Sequence, residues 1–208
     1  MTTEFDPGLL GGTCWFELSG GERIGLPVRR WRRPPGVADE LLLGRCTGPT
    51  LDVGCGPGRL VAALGERGVA TLGIDRSAVA VRLARRRGAT ALRRDVFGRL
   101  PAEGRWRHVL LADGNIGIGG DPVILLCRVA DLLAESGTAL VEVEPPGRGL
   151  RRERVRIGGQ GTRSGHWFRW AWLGVDAVAA AAAPAGLRVR WTGHRDGRWV
   201  TELTRTGS

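Results

Sequence analysis

No two of the four cysteines, Cys14, Cys46, Cys55 and Cys127, stand at C-x-x-C spacing. That argues against a zinc site or a redox pair, and no metal is expected; reduced thiols fit better. No stretch reaches the ~20 uninterrupted apolar residues of a membrane span, so no membrane association is expected. The first ten residues carry Glu4 and Asp6 and no basic run, so no secretion leader is expected and the cytoplasm is the expected location. Lysine and tyrosine are missing altogether, and all 31 basic residues are arginine. With abundant Ala, Gly and Val, this composition marks a GC-rich coding sequence and hence a bacterial source. There is no internal repeat and no long disordered stretch.

The 208 residues suffice for one α/β domain with a full core and a modest addition. A net charge of +10 invites a nucleic-acid reading. The distribution weakens it: the excess is split between residues 51–100 and 151–208, while 101–150 is net acidic. Much of it sits on a helix surface, at Arg82, Arg85, Arg86 and Arg87. A solvated face explains that better than a nucleic-acid partner, with attraction of anionic substrates as the second reading.

The most informative stretch is TLDVGCGPGRL, Thr50 to Leu60. A short apolar run ending in Val53 reads as a buried parallel strand. Gly54, Gly56 and Gly58 then form a turn, and Arg59 begins a helical pattern. Such a turn lets a ligand approach without meeting a Cβ, and the helix start offers free N–H groups. The dinucleotide fingerprint G-x-G-x-x-G does not fit, because its third glycine would fall on Arg59.

Around this stretch the chain reads in order. Thr13–Leu18 and Arg23–Val28 form a β-hairpin, too small to fold alone, followed by a basic, proline-bounded linker, Arg29 to Pro35. Residues 1–36 are read as hairpin, lid and linker, and 37–208 as the main domain. From Thr50 strands and helices alternate, which argues a parallel sheet: strands at Val69–Ile74, Ala89–Leu92, His108–Ala112 and Thr138–Val143, helices at Arg59–Arg67, Ala78–Arg87 and Val123–Glu135. Then come two antiparallel strands, Glu153–Ile157 and His166–Leu173, across a Gly-rich turn at 158–165. This is a β insertion, 150–174, after the fifth strand. A helix at Asp176–Ala183 and a terminal hairpin, Leu187–Trp191 with Trp199–Leu203, close the chain.

The G-x-G-x-G turn with an acid two residues before it resembles motif I of the class I S-adenosylmethionine-dependent methyltransferases, small-molecule type. Further acids follow in matching order: Asp75 at the end of the second strand, Asp95 after the third, Asp113 after the fourth. The resemblance covers roughly 50–144. It implies a Rossmann-like α/β fold, a seven-stranded mostly parallel sheet with helices on both faces and the last strand antiparallel. It implies S-adenosyl-L-methionine as cofactor and S-adenosyl-L-homocysteine as product. It implies a loop of Asp52, Gly54, Cys55, Gly56 and Gly58, with Asp75 and the adjoining Arg76 at the ribose. Asp95 and Val96 are implied at the adenine, and Asp113 beside the sulfonium.

After the fourth strand the chain reads Asp113-Gly114-Asn115-Ile116, without the Pro-Pro-aromatic run of adenine-N6 and cytosine-N4 enzymes. Cys127 follows Leu126 inside a helical pattern, not a Pro as in cytosine-C5 enzymes. A small-molecule acceptor, methylated at O or N, is the expectation; an RNA or protein methyltransferase, or a non-catalytic S-adenosylmethionine-binding protein, are the rivals. A base is needed if the acceptor is a hydroxyl or an ammonium, and the candidates are His166, His194 and Glu144. Asn115, Trp15, Phe16 and Trp170 are the candidate substrate contacts, the aromatic ones as walls of an apolar pocket.

Overall fold

The computed structural model describes residues 4–159 and 165–207. Part of the Gly-rich turn expected at 158–165 lies outside them. Seven strands make the main sheet: β3 (Thr50–Val53), β4 (Thr71–Asp75), β5 (Ala91–Arg93), β6 (Trp106–Leu111), β7 (Leu133–Val143), β10 (Leu187–Arg195) and β11 (Arg198–Arg205). Their order across the sheet is β10-β11-β7-β6-β3-β4-β5. Neighbours from β7 to β5 pair in parallel and β11 runs antiparallel to both its neighbours. This is the seven-stranded Rossmann-like sheet that the sequence implied.

Central strands are apolar on both faces because helices cover both. Val109, Leu111, Ala139 and Val141 point to one face, against α6 (Pro122–Leu132) and α7 (Val178–Ala182). Leu110, Leu140 and Val200 point to the other, against α3 (Glu40–Leu43) and Leu60 and Leu64 of α4 (Arg59–Glu66). The helix α5 (Ala78–Arg86) packs Val81 and Ala84 against Val61 and Ala91. His108 belongs to this buried layer: its ring bonds Thr138 Oγ1 at 2.9 Å and accepts from the Thr47 N–H at 3.2 Å. Burial holds it down to about 4, so it stays neutral and structural.

Three features depart from the sequence reading. Residues 6–9 form a short helix, α1 (Asp6–Leu9), and the basic linker contains another, α2 (Val28–Arg32). The helix α6 ends at Leu132, because Leu133 already pairs with Trp106 as the start of β7. The third departure decides the architecture. The N-terminal hairpin, β1 (Cys14–Leu18) and β2 (Arg23–Gly25), and the insertion strands, β8 (Leu150–Gly159) and β9 (Phe168–Leu173), are one sheet, ordered β2-β1-β8-β9. Its middle seam pairs Phe16 with Ile157 and Leu18 with Val155, antiparallel.

Phe16 is the hub of this second sheet. Its ring lies 5.2 Å from Trp170, 5.7 Å from Trp172 and 6.3 Å from Phe168, the separations at which aromatic pairs attract. Strand alternation sends Cys14, Phe16 and Leu18 to this face and Trp15 to the other; there Arg23 lies over the Trp15 ring at 5.0 Å.

The loop after β6, residues 113–121, joins the two sheets. It lies flat on β9 because its glycines have no side chains to hold it off. A Cβ on Gly117 would sit 2.4 Å from the Ala171 carbonyl oxygen and 2.5 Å from the Trp170 ring. One on Gly120, at φ +77°, would sit 2.3 Å from Arg169 Cβ. Gly117→Ala should therefore destabilise the fold by about 1–3 kcal/mol, the usual cost of overpacking. Urea denaturation measures it, and an unchanged midpoint would mean that the loop does not bear on β9.

Candidate active site

The carboxyl ends of β3, β4, β5, β6 and β7 open under the second sheet onto a cavity of about 480 Å³, a volume in the small-molecule range. The core side is built by the glycine turn. Gly54, Gly56 and Gly58 have φ of +72°, +52° and +74°, in the left-handed region where a side chain is strained. At Gly56 the nearest atom a Cβ would meet is Leu9 Cδ2, at 3.9 Å, so that backbone stays open toward the cavity. At Gly58 a Cβ would strike Ala84 at 2.7 Å, so this glycine serves helix packing.

Asp75 and Asn115 fix the turn. Asp75 accepts from the Gly56 N–H at 3.0 Å with one oxygen and from the Ser77 N–H at 2.8 Å with the other. Burial raises its carboxyl, against these backbone bonds. Asn115 donates from Nδ2 to the carbonyls of Val53 and Gly54, at 2.8 and 2.9 Å. A Cβ on Gly54 would press on that amide at 2.7 Å. The loop after β6 thus clamps the turn after β3.

The cavity brings together Gly54, Cys55, Gly56, Asp75, Arg76, Asp95, Val96, Asp113, Asn115, Glu144, Phe16 and Trp170 of the residues expected from sequence. Asp95 folds back to accept from the Phe97 N–H at 3.0 Å, and Arg76 lies 3.5 Å from it. Asp52, Gly58 and Trp15 lie off the lining: Asp52 is buried in β3 below the turn, and Trp15 faces the far side of the second sheet. His166 and His194 are exposed and lie outside the lining. His194 stacks on Trp199 at 4.5 Å between ring centroids, since β10 runs on to Arg195 and keeps it in the edge hairpin. Glu144 is the one of the three base candidates that reaches the cavity.

The sequence reading missed what lies beneath Asp113. Three carboxylates, Asp39, Asp113 and Glu142, meet three guanidiniums, Arg30, Arg59 and Arg198. Arg59 lies 2.6 Å from Asp39 and 2.8 Å from Asp113. Arg198 bonds Glu142 through Nε at 2.9 Å and Nη2 at 2.6 Å, bonds Asp39, and lies 3.4 Å from Asp113. Arg30 lies 2.9 Å from Asp113, and the Asp113 N–H donates to Glu142 at 2.6 Å. Burial alone would raise the Asp39 carboxyl, but bonds from Arg59 and Arg198 hold it down at about 2. Glu142 is likewise lowered, burial being outweighed by Arg198. The one signal in the sequence was Glu142 itself, an acid inside an otherwise apolar buried strand, which demands a partner.

Asp52 behaves in the opposite way. Burial pushes its carboxyl from 3.8 up to about 7, Arg59 opposing and Asp113 and Asp75 adding to the rise. A folded value above the unfolded one means that the folded state holds the extra proton between them. Asp52 thus lowers stability progressively as pH rises from about 4 to about 7, and the penalty is complete above that window. Asp52→Asn mimics the protonated form. It should raise the melting temperature more at pH 8 than at pH 5; an equal shift at both would place Asp52 as an ordinary carboxylate.

Residues 50–137 match a family model described as a methyltransferase domain. Among solved structures, the chain is similar to an S-adenosylmethionine-dependent methyltransferase from Bacteroides fragilis, crystallised with S-adenosyl-L-homocysteine. There the TM-score is 0.79 at 20% identity, over 99% of this chain and 97% of that one. It is also similar to the CcbJ methyltransferase from Streptomyces caelestis, with a TM-score of 0.62 at 14% identity over 85% and 95% of the two chains. A third likeness is to the 1,6-didemethyltoxoflavin-N1-methyltransferase of Burkholderia thailandensis, solved with 1,6-didemethyltoxoflavin and S-adenosylhomocysteine, at a TM-score of 0.58 and 18% identity over 80% and 74%. Sheet order, glycine turn and acids in sequence order agree with these likenesses: residues 50–137 match the methyltransferase-domain model, and the chain as a whole has the Rossmann-like fold of the class I methyltransferases.

Proposed function

We propose that the protein transfers a methyl group from S-adenosyl-L-methionine to an oxygen or nitrogen of a small, partly apolar acceptor. The observation that carries this reading is that one cavity joins the glycine turn and Asp75 to an aromatic wall on the second sheet. The chain's residues fit the cofactor. Gly54, Cys55 and Gly56 leave backbone open, Asp75 keeps lone pairs for a ribose diol beside its two backbone bonds, and Val96 with Asp95 closes the far end. Bound there, the cofactor supplies an activated methyl group on a sulfonium.

The rest is positioning. Phe16, Phe168, Trp170 and Trp172 form the acceptor side of the cavity, and such rings hold a flat or apolar body while excluding water. Holding acceptor and methyl donor in line supplies much of the rate. Glu144, half-buried where β7 ends, is the group placed to take a proton from an acceptor hydroxyl or ammonium. The toxoflavin and naphthoic-acid ligands named for two structural neighbours are flat ring systems of the kind such a wall accepts.

Three measurements test the reading. Calorimetry should show binding of S-adenosyl-L-homocysteine and none of NAD; the reverse would sink it. Asp75→Ala should weaken that binding at least ~10-fold, since charge-assisted bonds are worth about 1.5–3 kcal/mol each, in a protein that still unfolds cooperatively. Glu144→Gln should lower kcat with S-adenosyl-L-homocysteine affinity unchanged; full activity in that variant would remove Glu144 as the base.

A further inference from the structure

Three guanidiniums meet in the cluster under the cavity, but they are not equivalent. The side chains of Arg59 and Arg198 are 3% and 9% exposed, closed in by Asp39, Asp113 and Glu142. Arg30 comes from α2, beside the second sheet rather than from the core. Its side chain is 35% exposed and lines the cavity. Its Nε lies against Asp113 at 2.9 Å and one Nη against Glu142 at 3.5 Å. A guanidinium has five N–H donors in a fixed fork, so these two contacts leave donors for a ligand.

Strand order says which part of a ligand would meet them. The strands β5, β4, β3 and β6 lie side by side, about 4.8 Å apart. Val96 follows β5, Asp75 ends β4, the glycine turn follows β3 and Asp113 follows β6. On the methyltransferase reading, on which this inference rests, the base lies toward β5 and the ribose over β4. The amino-acid tail then runs over β3 toward β6, where Arg30 stands. That tail ends in a carboxylate, the group an arginine fork matches. Of the other cavity-lining arginines, Arg59 shares this end but is buried and engaged by Asp39 and Asp113, Arg76 and Arg94 flank Asp95 at the β4–β5 end, and Arg169 stands on β9 against Gly120.

We propose that Arg30 is the receptor for the cofactor's carboxylate, and that it thereby couples cofactor binding to closure of the N-terminal segment. One guanidinium holds both: its contacts to Asp113 and Glu142 dock α2 on the core, and its remaining donors take the tail. Coupling of this kind is reciprocal: the tail stabilises the docked segment as much as the docked segment stabilises the tail.

The test compares two ligands with the same adenosine and thioether. S-adenosyl-L-homocysteine carries the amino-acid tail and 5′-methylthioadenosine lacks it. Calorimetry is run on the wild type, Arg30→Ala and Arg30→Lys, with trypsin cleavage at Arg23 and Arg29 as a second readout. Arg30→Ala should weaken S-adenosyl-L-homocysteine at least ~10-fold and leave 5′-methylthioadenosine unchanged, with Arg30→Lys between. S-adenosyl-L-homocysteine should slow cleavage in the wild type and not in Arg30→Ala, while 5′-methylthioadenosine slows it in neither. Equal losses for both ligands would overturn the proposal, showing that Arg30 only holds the fold. So would an unchanged affinity for S-adenosyl-L-homocysteine. Failure of the wild type to bind S-adenosyl-L-homocysteine at all would instead strike the methyltransferase reading, and this inference with it.

Discussion

A guanidinium taken out of water has to be matched, and Arg198 sets the terms for the carboxyl edge of this sheet. It projects from the antiparallel strand β11, is 8% exposed, and is answered by Glu142 of the neighbouring β7, by Asp39 ahead of α3 and by Asp113 after β6. Arg59 at the start of α4 and Arg30 of α2 complete the set. Removing one member of such a buried network leaves an uncompensated charge, at a cost of about 3–5 kcal/mol. The network therefore fixes where the loop after β6 leaves the sheet. That loop carries Asn115, whose amide holds the glycine turn. The geometry of the glycine turn thus depends on this ion cluster.

The other half of the cavity has a different physics. The second sheet is held by rings around Phe16 and by the close approach of a glycine-rich loop. Rigid electrostatics thus lie on the core side and apolar contact on the cover side. That division suits a site that binds one constant, charged, nucleoside-like group and one variable body.

The core was legible because its signals are local. A buried strand, a turn needing left-handed backbone and a helix start fall within eleven residues, Thr50 to Leu60, and each later acid sits directly after a strand. The aromatic segments were legible as additions, since neither hairpin could be stable alone. Their union was not legible: alternation reveals that a strand has two faces, but it does not name the edge it will pair with. The ion cluster escaped for a similar reason, its members being scattered from Arg30 to Arg198. Asp113 was picked out by its place after β6, but not its engagement by three arginines. Trp15 and Phe16 looked interchangeable in sequence, and strand parity separates them. His194 was expected at the turn after its strand; β10 runs four residues longer than its hydrophobic pattern, carrying the ring along the edge.

The seam between β1 and β8 joins residues 14–18 to residues 155–159, with strands β3 to β7 of the main sheet between them. On a ribosome, the first hairpin emerges and then waits for its partner strand. At about 5–20 residues per second, that interval is on the order of ten seconds. An isolated two-stranded hairpin is marginal in water, and through that time the Phe16 face lacks the rings of β9. The core can meanwhile close its parallel strands, which brings the two ends of the seam together and spares the loop-closure entropy that joining them directly would cost. The parallel strands can thereby form before the second sheet, and the newborn chain passes through a stage at which the strand that carries Phe16 still lacks its partner.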